Sequence, residues 1–161
     1  MLFHLSFRDF LVDKTRCTDE TLFIDEQQAN KKLFNLCMDI LPRVLQRNIC
    51  KFPHPAATPC ELSHETIDKQ LPQAVQYACQ YWGEQNCSTK SVQPNEASKL
   101  LAFFKGSFLH WLEALSLARK MAHAIPTLTN PETHTTDVND SELYYYIVNA
   151  RRFVIHHNIT N

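Results

Sequence analysis

The sequence predicts an all-α fold, an irregular helical bundle or short α-solenoid of about five to six helices. Three observations carry this expectation. Apolar residues recur at three- and four-residue spacing through most of the chain, the signature of helices with one buried side. Only two of the 161 residues are glycine, Gly83 and Gly106, too few for the tight turns of a hairpin-rich sheet protein. Prolines and short polar residues gather in three stretches, 51–63, 86–94 and 126–140, which divide the periodic segments from one another. With 44% hydrophobic and 20% charged residues, the chain can bury a core as one globular unit.

The elements follow in order. An aromatic and aliphatic run that begins at Leu2 and continues through Phe3 to Asp13 reads as the inside of a folded domain, so a segment upstream of it is expected. Asp25 is placed to cap a helix over Glu26 to Leu41, with Ala29, Leu33, Leu36, Cys37, Ile40 and Val44 on one stripe and Phe34, Leu41 and Leu45 on a second. An apolar arc that wide implies neighbours on two sides, and Pro42 implies a kink or break at Leu41. Pro53, Pro55 and Pro59 make 51–63 a linker, and Ser63 precedes a short turn, Glu65 to Gln70. Pro72 opens the next helix, whose Val75, Ala78, Cys79 and Trp82 share a face. Asn95 is the expected N-cap of Glu96 to Lys105, with Gly106 ending it and Ser107 capping Phe108 to Ala124 in an αα-hairpin. Pro126 to Asp140 reads as a mobile loop. Ser141 then caps a final helix built on Leu143, Ile147, Ala150 and Val154.

Sixteen basic and seventeen acidic residues, net −1, leave no electrostatic footprint for nucleic acid. No apolar run reaches a membrane span and no signal-peptide core is present, so a cytoplasmic protein with reduced cysteines is expected, and three glycosylation sequons (at Asn86, Asn139 and Asn158) carry no weight. His64-Glu65-Thr66-Ile67-Asp68 starts like a zinc-protease motif but has Asp where the second histidine is required. No two of the six cysteines are spaced as a metal or redox pair, and two glycines cannot build a phosphate-binding loop. His156-His157 point about 100° apart on a helix, unsuited to one metal. No catalytic residue, metal or cofactor is assigned. Tyr144-Tyr145-Tyr146 cannot form one flat stacking surface on a helix; at least one faces the core and the others suit contact with a neighbouring domain.

The run His4-Leu5-Ser6-Phe7-Arg8-Asp9-Phe10-Leu11 resembles the last winged-helix segment of NACHT-type signalling NTPases. Lys32 to Cys37, Arg47 to Cys50, Thr66 to Lys69, Val75 to Trp82, Phe108 to Leu117 and Asn149 to Phe153 are similar, in order and spacing, to the helical segment that fungal NACHT and WD-repeat proteins of the heterokaryon-incompatibility type place between NTPase and propeller. The resemblance implies that residues 1–13 end a winged-helix subdomain and 14–161 form a helical connector. It further implies that the histidine at position 4 reaches the β-phosphate of bound ADP in an intact relative, a contact an imidazole can make as a donor. The phosphate loop, magnesium ligands and propeller of that family are not in this sequence.

The functional expectation is therefore a non-catalytic connector fragment whose partners are the NTPase and repeat domains of a parent or related protein, with no nucleic acid or membrane partner. The alternative is a free-standing helical adaptor that binds such a protein in trans.

Overall fold

Eight α-helices and one 3₁₀ turn form among the residues that the computed structural model describes, 5–52, 63–86, 93–135 and 141–158, and no strand occurs among them. The helices are α1 (Leu5–Val12), α2 (Glu26–Val44), α3 (His64–Gln70), α4 (Gln73–Asn86), α5 (Pro94–Gly106), α6 (Phe108–Leu117), α7 (Ala124–Thr135) and α8 (Ser141–Asn158), with the 3₁₀ turn at Met121–His123. The all-α expectation holds, and the count exceeds five to six chiefly because a further helix, α7, forms where a loop is expected.

Five helices close a ring in the order α2, α4, α7, α8, α5 and back to α2, which makes the fold a bundle rather than a solenoid. The sixth, α6, packs on α4 and α5 and sends Trp111 and Leu115 inward to full burial. There Trp82, Phe103, Phe104 and Trp111 meet edge to face at centroid separations of 5.3 to 6.2 Å, the arrangement that aromatic quadrupoles favour. The Trp111 indole donates to the Cys79 carbonyl at 2.8 Å, whereas the equally buried Trp82 indole nitrogen has no hydrogen-bond partner among the described residues.

Helix α2 begins as expected, with the Asp25 carboxylate accepting from the Gln28 amide at 3.0 Å. It runs through Pro42 and stops at Val44, so the proline falls in the last turn and removes only one amide donor; no break occurs at Leu41. Helices α4 and α5 do stand on two sides of α2, but they do not cover both apolar stripes. Phe34, Cys37, Met38 and Leu41 are buried, but Leu33, Leu36 and Ile40 face outward. One flank is instead occupied by a polar ladder to α5: Lys31 pairs with the buried Glu96 at 3.6 Å, and Lys99 reaches both Asp39 and Asn35 at 2.9 Å. Residues 31, 35 and 39 recur one turn apart, so a polar stripe rather than a second apolar one meets α5.

Helix α5 starts two residues earlier than expected. Pro94 occupies its first position and the Glu96 carboxylate reaches back to the Gln93 amide at 3.0 Å, so Gln93 rather than Asn95 is the N-cap. Gly106 is the last helical residue, with negative φ, and Ser107 takes the cap position.

The stretch 108–124 is not one helix. At its middle Arg119 takes φ 57°, its amide donates to the Ser116 carbonyl at 3.0 Å and the Lys120 amide to Leu115 at 2.8 Å. These two bonds form a Schellman motif, which ends α6 at Leu117 with an arginine in the left-handed slot usually held by glycine.

The largest correction is in the stretch 126–140 expected as a loop, whose first ten residues belong to helix α7, Ala124–Thr135; 136–140 lie outside the described residues. Pro126 lies in its first turn, where a missing amide hydrogen breaks no helical bond. Fully buried Ala124 and Leu128 anchor it, and the buried Thr127 hydroxyl donates to the Gln80 carbonyl of α4 at 2.9 Å. Pro131 supplies no amide for the Thr127 carbonyl, which lies against Gly83 of α4. Glycine is required there: a Cβ would stand 2.8 Å from the Thr127 carbonyl carbon and closer still to its oxygen. Tertiary packing thus holds a helix that its composition disfavours.

Candidate functional site

Helix α8 divides sharply between two faces. Leu143, Ile147, Ala150 and Val154 are buried against α7 and α5. Residues Tyr145, Asn149, Arg152 and His156 recur at helical spacing on the opposite side, and all four are exposed, Tyr145 by 65%. Exposed Tyr144 and Phe153 border this stripe.

Neighbouring groups hold the surface in shape. Phe153 lies 6.2 Å from Phe108 of α6 and 4.2 Å from the stacked ring of His157, whose Nδ1 sits 2.9 Å from the Phe153 carbonyl. Leu109, next to Phe108, is 63% exposed and extends the apolar area across the end of α6. Tyr146 is half-buried against the core, with the Lys105 ammonium 5.6 Å over its ring and Lys105 paired to Glu142 at 2.7 Å. Of the three consecutive tyrosines, then, one faces inward and two outward, as helix geometry requires. Asn149 donates to the Tyr145 carbonyl at 2.8 Å. The result is an aromatic surface with the Arg152 guanidinium and the imidazoles of His156 and His157 at its C-terminal end.

The other sequence-predicted positions that are described stand on other elements. His4 lies outside the described residues, as do Cys60 and Cys87. Cys17, Cys37, Cys50 and Cys79 are buried free thiols on separate elements. Burial pushes the Cys37 thiol up to about 11 and the Cys79 thiol up to about 12, the latter helped by Cys37 nearby. Cys50 is also raised, first by burial and then by the Glu113 carboxylate. Thiols so shifted are protonated at neutral pH. Near the failed zinc motif, Asp68 accepts from Gln76 at 2.8 Å. No group of three potential metal ligands occurs among the described residues, and no helix among them is long and apolar enough to cross a membrane.

One positioning residue had no sequence signal. The Glu113 carboxylate of α6 accepts from the Asn48 and Ile49 amides at 3.1 and 3.2 Å. It fixes a turn in which Asn48 has φ 54°, accepts from the Phe52 amide at 2.7 Å and donates to the Phe52 carbonyl at 3.0 Å. Separated from that turn by more than sixty residues, Glu113 reads in sequence only as the polar side of its helix.

No family model, curated protein or solved structure matches the chain.

Proposed function

We propose that this chain is a non-catalytic helical connector of a NACHT-type signal-transduction NTPase, working in the cytoplasm and coupling nucleotide state to a sensor repeat domain. The observation that supports this most is the outer face of α8, where Tyr144, Tyr145 and Phe153 stand exposed on a helix whose other face is fully packed. Tyrosine and phenylalanine with arginine are the residues enriched where protein modules dock.

The ring of helices suits mechanical coupling. Helices locked by a shared aromatic core move as one body, so a displacement applied at α8 is passed to α5 and α2 rather than absorbed. In such a parent, His4 would contribute a donor to the β-phosphate of ADP while the bundle carries the resulting movement to the repeats. Calorimetric titration of the purified chain with ATP and with ADP tests the non-catalytic part of the reading. No binding heat is expected; micromolar affinity for either nucleotide would overturn it.

A further inference from the structure

A second surface, on α2, stands exposed among the described residues, and its pattern identifies what fits it. On α2, Ala29, Leu33, Leu36 and Ile40 follow one another at spacings of four, three and four, and Arg43 continues the series. At about 100° per residue these side chains fall within an arc of roughly 60°, the narrow seam of a coiled coil rather than the broad apolar face of a membrane-surface helix. Leu36 is 57% exposed and Leu33 and Ile40 are also open, while the opposite side of α2 is buried in the bundle.

The seam is complementary to itself when reversed. A two-fold axis through Leu36 sets Leu36 against Leu36 of the second copy, Leu33 against its Ile40, and small Ala29 against its long Arg43. Exposed Lys32 and Asp39 lie on one flank of the seam, before and after Leu36, so the same operation brings Lys32 opposite Asp39 of the second copy on both sides. Asp39 already holds Lys99 at 2.9 Å, and a carboxylate has acceptor capacity for another cation. A parallel pairing would instead carry Lys32 and Asp39 of the second copy to the opposite flank, so that the two charges no longer meet.

We propose that the outward seam of α2 is a self-association surface, on which a second copy of this chain lays its own α2 antiparallel across a two-fold axis at Leu36. The interface spans at most the 19 residues of α2. It is therefore small and gives a weak dimer, with dissociation in the micromolar range. The proposal is independent of the connector reading, because it uses α2 and leaves the α8 face open.

Sedimentation equilibrium of the full chain over a concentration series tests it. The wild-type mass rises from monomer toward dimer, and Leu36→Asp holds the chain at monomer mass with unchanged circular dichroism and melting temperature, since Leu36 is outside the core. Lys32→Glu weakens the dimer at least tenfold, by placing like charges together. Leu36→Cys, on the axis, gives a disulfide-linked dimer under mild oxidation that wild-type chain does not form. A wild type that stays monomeric at all concentrations, a dimer indifferent to Leu36→Asp, or a monomer that instead binds anionic lipid vesicles through Leu36 would each overturn the proposal.

Discussion

Replacing Gly83 by alanine tests the packing argument at its tightest point. The new Cβ would stand 2.8 Å from the carbonyl carbon and 2.9 Å from the Cα of Thr127, where ordinary carbon contacts need about 3.5 Å or more. Both atoms are helix backbone, so neither can rotate aside. Helices α4 and α7 must separate by about 1 Å, which strains the Thr127 to Gln80 hydrogen bond and loosens Leu128. Overpacking of this kind costs about 2 to 4 kcal/mol, offset by about 1 kcal/mol of helix propensity gained over glycine. The net loss of about 2 kcal/mol lowers the melting temperature by roughly 4 to 8 °C in a chain this size. Gly106→Ala is the matched control: nothing lies within 4 Å of its Cβ and it closes α5, so alanine there is neutral or raises stability by up to about 1 kcal/mol. Differential scanning fluorimetry and urea melts measure both. The reasoning fails if Gly83→Ala melts at or above the wild-type temperature.

Three further outcomes follow from the same packing. Trp111→Phe costs more than Trp82→Phe, by about 1 kcal/mol in urea denaturation, because only the first removes a buried hydrogen bond, the one from the indole to the Cys79 carbonyl; equal losses would contradict the hydrogen-bond assignment. Glu113→Ala releases the amides of Asn48 and Ile49 and lowers stability by about 1 to 2 kcal/mol, with faster amide exchange confined to the 48–52 turn; unchanged exchange there would refute it. Above pH 9 the chain loses stability, since its unfolded state ionises Cys37 and Cys79 at ordinary thiol values while the folded state holds them up to about 11 and about 12. The contribution is fully present below the unfolded pKa and is lost as pH rises through the folded values. Cys37→Ala with Cys79→Ala flattens this alkaline slope, and an unaltered slope would contradict it.

The fold class and most of the core were legible in the sequence because helical spacing and burial coincide there: Val75, Ala78, Cys79 and Trp82, and Leu143, Ile147, Ala150 and Val154, are buried as their periodicity predicts. What escaped prediction was decided by contacts between distant segments. Arg119 carries no sign of a left-handed residue until the Schellman bonds form. The helix at 124–135 has the composition of a loop and is held by Ala124, Thr127 and Leu128 against α4 and α8. On α2 two apolar stripes look alike in sequence, and only the polar ladder to α5 and the position of α4 decide that Leu33, Leu36 and Ile40 face outward. The three consecutive tyrosines of α8 sorted correctly because helix geometry alone separates their directions.

The central claim, that the α8 face docks a module of a NACHT-type NTPase, is tested most directly by calorimetric titration of the full chain with a purified NTPase module of that family. The account predicts one-to-one binding, weakened about tenfold or more by Tyr145→Ala and again by Phe153→Ala, each worth about 1 to 2 kcal/mol at the centre of an interface. No binding, or binding untouched by both substitutions, would contradict it.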